Sequence, residues 1–238
     1  MDVVARIRAI ARYPVKSMRG EDLETASLTF QGLAEDRRYA FVQAGSRSAF
    51  PWLTGRQYPG LLRYQPRVEL APDPSNPRVQ VTTPEGVTLD VNDDRLRRAL
   101  EAGCGGALFL MRDYRGNYDV SPVSIIAWQT IARIAAGSGT ASDVRRFRPN
   151  LLVDVTDGGP AGEMGWVGRI LRVGDRARLA VTEPDHRCVM ITLDPATTEA
   201  DPRILRWVAQ QHGGVAGIHA TVLAPGDVRV GDPIVLEA

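Results

Sequence analysis

Lysine is almost absent from this sequence: Lys16 is the one lysine among 29 basic residues, and the other 28 are arginine. Arginine presents a wide planar fork of donors, whereas lysine presents a compact charge on a flexible stem, so the two cations are not interchangeable. A position that must place one ammonium against one oxyanion would therefore keep its lysine. Chance retention of a single lysine in an arginine-biased chain is the alternative, and composition alone does not separate the two.

Cysteine is also scarce, since the chain contains only Cys104 and Cys188. Two cysteines cannot build a disulfide framework, and their spacing excludes paired-cysteine zinc and iron–sulfur motifs. The sequence also lacks the glycine-rich signatures of dinucleotide and nucleoside triphosphate sites, and the HExxH motif of zinc proteases. We therefore expect a reduced, cytoplasmic protein in which any cysteine chemistry comes from a free thiol.

No apolar run approaches the roughly 20 residues of a membrane-spanning helix, and no charge of one sign dominates. Residues 1–8 alternate apolar and charged side chains and therefore predict a strand rather than a secretory signal. The net charge of +1 gives no general attraction to nucleic acid or to an anionic membrane. Neither is expected as a partner, and any anion binding must be local.

Short apolar segments separated by turn residues dominate the chain and predict many β-strands with few helices. One cluster of turn residues, with three prolines, spans 72–77. A polar, turn-rich stretch near residue 113 predicts a boundary between a domain of residues 1–112 and a domain of residues 113–238. Many short strands favour β-barrels over a doubly wound sheet, so we predict a mainly β (α+β) chain.

Three helices are predicted from capping residues and apolar spacing, two of them over 93–102 and 202–211. The clearest helix begins at Ser121, a good N-cap followed by Pro122, and continues to Gly137. Its N-terminus would present free N–H groups and the positive end of the helix dipole, which together favour an anion. An ordinary N-cap without a ligand is the alternative for Ser121.

Cys188 is the first candidate for chemistry because it follows His186 and Arg187. Neighbouring cations favour the thiolate, which is a nucleophile and a soft ligand for redox-active metals. A buried structural cysteine on a predicted strand over 188–193 is the alternative. Cys104 ends a predicted helix without a cationic neighbour, so we predict a structural role for it.

Arg148 and Asn150 flank Pro149, whose ring restricts the backbone and fixes the relation between the two side chains. An arginine and an amide held in this way suit a phosphate group or the edge of a heterocycle. A solvated basic loop is the alternative, and it is the interpretation we prefer for Arg145 and Arg146.

Each of these signals is weak, but their order along the chain is specific. The motifs, in order, are Tyr13-Pro14-Val15-Lys16-Ser17, Gly32-Leu33, Asp36-Arg37, Ser121-Pro122, Phe147-Arg148-Pro149-Asn150, Arg187-Cys188 and Gly231-Asp232-Pro233. With this order the sequence resembles the MOSC family (molybdenum cofactor sulfurase C-terminal domain). It resembles in particular the members in which a β-barrel domain precedes the MOSC domain, such as the mitochondrial amidoxime-reducing component. The resemblance covers nearly the whole chain and is weakest over residues 45–112.

The resemblance implies a MOSC-type β-barrel packed on an N-terminal β-barrel-like domain, with a molybdenum–molybdopterin cofactor between them. Cys188 matches the family cysteine that binds molybdenum, and the pterin dithiolene would supply the other sulfur ligands. The cofactor-binding positions implied in the same way are Lys16, Ser17, Arg37, Ser121, Arg148, Asn150 and Arg187. Thr54 and Arg56 resemble a family stretch near the site and are weaker candidates. His186 stands where relatives often carry a small hydroxyl residue, and a bulkier, titratable group there would narrow the substrate pocket or shift the proton supply.

The resemblance also implies an enzyme: an oxidoreductase that reduces N-hydroxylated small molecules, such as amidoximes or hydroxylamines, with Cys188 holding the metal. The chain has no cysteine motif for a plant-type iron–sulfur cluster, so the electrons would come from a separate donor protein or reductase. The alternative is a non-catalytic protein that carries the molybdenum cofactor, or a persulfide sulfur on Cys188.

Overall fold

The structure is a computed structural model that describes residues 2–69, 77–156 and 162–237. Within these residues the strands are β1 (Val3–Arg12), β2 (Glu21–Leu23), β3 (Thr25–Thr29), β4 (Gly32–Leu33), β5 (Tyr39–Gln43), β6 (Gln65–Glu69), β7 (Arg78–Thr82), β8 (Thr88–Asp90), β9 (Leu108–Arg112), β10 (Val123–Ala127), β11 (Leu151–Val155), β12 (Ile170–Val173), β13 (Ala177–His186), β14 (Val215–Ala224), β15 (Gly226–Arg229) and β16 (Pro233–Glu237). The helices are α1 (Asp94–Cys104), α2 (Trp128–Ser138) and α3 (Pro202–Gln211), and 3-10 turns span Pro59–Arg63, Val144–Arg146, Gly162–Trp166 and Val189–Thr192. The turn cluster predicted at 72–77 lies outside the described residues, apart from Pro77.

Seven strands close into a barrel, in the order β1–β11–β10–β14–β13–β12–β16 and back to β1. Neighbouring strands are antiparallel, except that β10 and β11 are parallel. The alternation in β1 explains its place in the barrel. Ala5 and Ile7 are almost fully buried in the barrel core, whereas Arg6 and Arg8 are exposed. With its few helices, this arrangement confirms the predicted mainly β fold.

Strands β1 and β3 join the two halves of the chain. Strand β1 pairs with β11 and β16, and β3 pairs with β15. Residues 39–112 form the other β-rich part, built of the pair β5–β9, the sheet β6–β7–β8 and α1. A separate apolar core that includes Phe41 and Val81 fills this part. The domain limits 1–112 and 113–238 stay a prediction, and the structure adds that β1 and β3 pair with the second half.

The prediction of a helix that begins at Ser121 is wrong for the first half of the predicted segment. Residues Val123–Ala127 form β10, which is buried along its whole length between β11 and β14, and α2 begins only at Trp128. The run Val-Ser-Ile-Ile-Ala is rich in β-branched residues and pairs along both edges, so tertiary contacts outweigh the capping pattern. Ser121 therefore caps no helix. The helix continues beyond the predicted stop and is followed by Gly139 at a φ of 67°.

The other two predicted helices are present. Helix α3 spans the predicted residues and is capped by Asp201, while α1 is capped by Asp93 and ends at Cys104, slightly later than predicted. Ile131 of α2 and Val208 of α3 belong to one buried cluster, which packs these helices against the barrel. None of the helices in the described part of the chain is long and apolar enough to cross a membrane.

Candidate functional site

A cavity of about 310 Å³ is lined by residues from both halves of the chain. Seven of the eight predicted site residues lie in its wall, although they are far apart in the sequence. These seven are Lys16, Ser17, Arg37, Ser121, Arg148, Arg187 and Cys188. They lie in the segment after β1, the turn before β5, the segments before β10 and β11, and the segment after β13. We call this cavity the main site.

The eighth predicted residue, Asn150, lies behind the wall of the main site. Its side chain is buried, and its Oδ1 accepts hydrogen bonds from Ser124 N at 3.1 Å and Arg37 Nη1 at 3.4 Å. Its Nδ2 donates to Ala11 O at 3.3 Å. Asn150 therefore connects β1, β10 and the arginine of the wall, and it positions Arg37.

Three wall residues have left-handed backbone conformations. Ser17, Arg37 and Arg148 have φ values of 63°, 50° and 54°, and they are three of the five non-glycine residues with positive φ in the described chain. Side chains with a Cβ adopt this region rarely, at a cost of about 1–3 kcal/mol each, and such residues cluster at ligand sites. Backbone hydrogen bonds at or next to these residues maintain the strained conformations. Lys16 N donates to Tyr39 O, and Arg37 N donates to Tyr13 O.

Lys16 is almost buried, and its ammonium has three partners. Its Nζ donates to Asn117 O at 2.6 Å and to Asp119 Oδ1 at 2.9 Å, and it lies 4.4 Å from the ring centre of Trp52. Burial lowers the pKa of Lys16, and the Asp119 carboxylate opposes this shift. Because Asp119 is 60% exposed, an anion in the main site could take its place beside the ammonium.

Tyr13 lies between two arginines of the wall. The guanidinium of Arg37 is 4.8 Å from the ring centre of Tyr13, and that of Arg148 is 4.3 Å from it. Burial raises the pKa of Tyr13 to about 12, and the phenol donates to Pro149 O at 3.1 Å. Burial also lowers the pKa of Arg148 to about 10. Among the described residues, Arg148 has no carboxylate within ion-pair distance.

Tyr13→Phe is expected to reduce the fall in the free energy of unfolding that the wild type shows between pH 10 and pH 12. The pKa of Tyr13 is 10.0 in the unfolded chain and about 12 in the folded protein. Between these pH values the unfolded chain loses the phenol proton more readily, so the free energy of unfolding falls as the pH rises. Below pH 10 the full contribution is present, and roughly 2–3 kcal/mol is lost as the pH rises to 12. The measurement is the free energy of unfolding against pH for both proteins. Parallel curves would contradict the assignment, since the other tyrosines are common to both.

The main site holds Cys188 at the start of the 3-10 turn Val189–Thr192, so the strand predicted over 188–193 is wrong. Cys188 is partly exposed rather than buried, and it lines the cavity. Next to it, Arg187 donates from Nε to Ala216 O at 2.7 Å and from Nη1 to Phe147 O at 2.9 Å. These bonds fix a cation beside the thiol. Within the described residues, no group of three or more His, Cys, Asp or Glu side chains could hold a metal ion.

Asp185 and His219 are wall residues that the sequence analysis did not identify. Asp185 is buried, with Oδ2 2.9 Å from Arg187 Nη2 and Oδ1 3.4 Å from His219 Nε2. They lie on β13 and β14, which pair next to the cavity. Asp185 stands two residues before Arg187, and side chains two residues apart on a strand lie on the same face, so the sequence contained a signal for this pair. Nothing in the sequence around His219 distinguishes it.

Ser121 reaches the main site without a helix behind it. Its hydroxyl lies 3.4 Å from Thr182 Oγ1, so it offers a hydroxyl group and not a helix dipole. The preference for a solvated loop is wrong for Arg146, which is buried and pairs with Asp194 at 2.8 Å. It fits Arg145 better, because that side chain is 45% exposed.

The two weaker candidates lie on a loop that meets the wall. Arg56 lines the main site, and Thr54 accepts a hydrogen bond from Arg56 N. Gly55 between them packs on Met190, since a Cβ there would lie 2.8 Å from the methionine methyl group. The loop therefore closes one side of the cavity against the turn that follows Cys188.

Among the residues that line the main site, the buried atoms Arg146 Nε and His219 Nδ1 have no hydrogen-bond partner in the described part of the chain, whereas Arg187 Nη2 lies 2.9 Å from Asp185 Oδ2. Buried polar atoms are almost always hydrogen-bonded, so His219 Nδ1 leaves an unmet hydrogen bond beside the cavity. A polar, anionic heterocycle would offer a partner to such an atom, and its charge would be balanced by Arg148 and Lys16. With the Cys188 thiol available as a soft ligand, the wall fits a pterin cofactor that carries a thiophilic metal.

Comparisons with known proteins give two family matches and similar folds among solved structures. A family model described as "MOSC domain" matches residues 113–235, and a model described as "MOSC N-terminal beta barrel domain" matches residues 4–103. No curated protein matches the chain.

Among solved structures, the YuaD protein from Bacillus subtilis is 14% identical to this chain and superposes with a TM-score of 0.54. The match covers 97% of this chain and 93% of that protein. The YiiM protein from Geobacillus stearothermophilus is 18% identical, with a TM-score of 0.40, over 50% of this chain and 55% of that protein. At this identity the likeness to YuaD shows a shared fold.

Proposed function

Because this chain belongs to the MOSC domain family, a family associated with molybdenum cofactor binding, we propose that it is a molybdenum cofactor-dependent oxidoreductase acting on N-hydroxylated small molecules. The observation that carries the proposal is the convergence of the main site. The seven predicted residues, which come from widely separated segments, bring one thiol, four cations and two hydroxyl groups to a single cavity that Arg56 and Arg146 also line. Such a wall matches the charge and polarity of a pterin with a phosphate group.

The residues divide by chemistry. Cys188 would supply one thiolate ligand, and Arg187 beside it would stabilise the negative charge on that sulfur. Lys16, Arg37 and Arg148 would balance the anionic groups of the cofactor. When bound, the cofactor supplies two-electron redox chemistry at the metal.

The reaction fixes what the wall must provide. Reduction of an amidoxime to an amidine uses two electrons and two protons, breaks the N–O bond and releases one water. The electrons would come from a separate donor protein or reductase. Within the main site, the Lys16 ammonium and the His219–Asp185 pair are titratable groups that could pass protons. The small-molecule substrate would enter over His186, which is exposed at the wall.

A direct test is amidine formation by cofactor-loaded protein, supplied with an aromatic amidoxime and a reduced viologen dye as electron donor. We expect turnover by the wild type and background rates for Cys188→Ala. A cofactor-loaded wild type that retains molybdenum and forms no amidine or amine from amidoxime and hydroxylamine substrates would rule out the reductase. The dye alone, without protein, is the control for direct chemical reduction.

The second candidate function is carriage of the cofactor or of a persulfide sulfur. It is favoured by the partial exposure of Cys188 beside Arg187, which leaves the thiol open to a partner. Mass spectrometry of the native protein would then show a one-sulfur adduct on Cys188 that a thiol reductant removes. Substrate turnover without such an adduct would support the reductase instead.

A further inference from the structure

A second cavity, of about 320 Å³, adjoins the main site at Arg148. Arg148 is the one described residue that lines both cavities. The second cavity lies between the loop after β1, strand β6 and the segment before β11, so both halves of the chain contribute to it. Gly20 leaves room beside Tyr13 there, because a Cβ at this position would lie 2.5 Å from the tyrosine ring.

Four arginines line the second cavity, namely Arg19, Arg67, Arg145 and Arg148. Of these, only Arg145 has a carboxylate partner among the described residues, with its Nη2 2.7 Å from an oxygen of Asp143. The other three bring positive charge from three separate chain segments to one cavity. Such a convergence is what bidentate recognition of a phosphate requires.

The two acidic residues of the second cavity do not neutralise this charge. Glu21 Oε1 accepts from Arg12 Nε at 2.8 Å and from Val68 N at 3.3 Å, so its charge is already paired. Asp22 is exposed on β2. Among the described residues, one carboxylate therefore faces three guanidinium groups that form no ion pair.

Arg148 has the strongest need for an anion. It stacks on Tyr13 in a left-handed conformation, and burial and the like charge of Arg37 both lower its pKa. Arg148 is half-buried and has no carboxylate in ion-pair distance among the described residues, so a bound anion would remove the cost of an uncompensated charge. The apolar side chains of Leu62 and Pro195 line the same cavity and would contact the uncharged part of a ligand.

We propose that the second cavity is a binding site for a small phosphate monoester, separate from the main site and sharing Arg148 with it. The phosphate would lie between Arg19, Arg67 and the face of Arg148 that the main site does not use. Binding there would alter the charge at Arg148 and so couple the occupancy of the two cavities. The proposal does not depend on the proposed function.

The test is calorimetric titration of phenyl phosphate into the protein, both cofactor-free and cofactor-loaded. We expect Arg67→Gln and Arg19→Gln each to weaken binding by about tenfold, because each removes a charge-assisted hydrogen bond. Arg206→Gln, which changes an exposed arginine on α3 away from both cavities, is the matched control and should bind as the wild type does. Affinity should also fall as the salt concentration rises.

The cofactor-loaded protein separates this site from the main site. Retention of binding that depends on Arg67 after loading supports a separate site. Loss of that binding on loading would overturn the proposal, because the second cavity would then hold part of the cofactor itself. Equal affinity of Arg67→Gln, Arg19→Gln and wild type would overturn it as well.

Discussion

Cys188→Ala is expected to reduce the molybdenum content from equimolar with the chain to background, after expression in a host that makes the cofactor. A thiolate is the soft ligand that the metal requires, and the alanine side chain offers no donor. Arg187 would lose the thiolate beside it while keeping its ion pair with Asp185 and its bonds to Ala216 O and Phe147 O. The wall should therefore remain folded while the metal is lost, and metal analysis of both purified proteins measures this.

Cys104→Ala is the matched control, because Cys104 is also partly buried and ends α1 far from the main site. It should retain wild-type molybdenum. Thermal unfolding checks that Cys188→Ala is folded, and a loss of molybdenum with an unchanged Tm assigns the metal to the thiol. Full molybdenum content in Cys188→Ala would show that the metal is held without this residue.

The sequence predicted which residues come together in one cavity better than it predicted the secondary structure around them. Short motifs report which chemical groups are present, and their order along the chain reports that they belong together. That is why seven of the eight residues named in advance line one cavity. The exception, Asn150, shows the limit, because an amide that binds a ligand and an amide that joins two strands to an arginine have the same sequence signal.

Pairing between distant strands was not predictable. The segment Val123–Ala127 has a capping pattern before it and apolar spacing after it, both typical of a helix start. It forms a strand because β11 and β14 lie on either side of it, and these come from residues far along the chain. The same holds for His219, which reaches the main site only through the register of β13 with β14.

Burial of arginine was also invisible in the sequence. Arg146 and Arg145 are neighbours with the same local composition, yet one is buried against Asp194 and the other is largely exposed. Only the fold places the carboxylate of Asp194 and the carbonyl of Thr192 opposite Arg146. A run of arginines therefore indicates a basic segment and leaves open which side chains enter the core.

Asp36→Asn is expected to lower the free energy of unfolding by about 3 kcal/mol, since it leaves the Arg37 charge unpaired inside the protein. Asp36 is fully buried, accepts a hydrogen bond from Tyr13 N at 2.7 Å and forms an ion pair with Arg37. Burial lowers the pKa of Arg37, but Asp36, together with Tyr13 and Tyr118, outweighs this effect and keeps the pKa raised. Asparagine keeps the shape and the acceptor for Tyr13 N, so the variant isolates the charge.

The matched control is Asp154→Asn, whose partner Arg8 lies 3.1 Å away with both side chains more than 40% exposed. An exposed pair of this kind contributes about 1 kcal/mol or less, so urea unfolding should separate the two variants clearly. The double variant Asp36→Asn/Arg37→Gln should recover part of the loss, because no unpaired charge remains buried. If both single variants lose the same small amount, the Asp36–Arg37 pair does not hold the left-handed backbone of Arg37. The strain in the main site would then have to be held by the backbone hydrogen bond from Arg37 N to Tyr13 O and by the Asn150 amide.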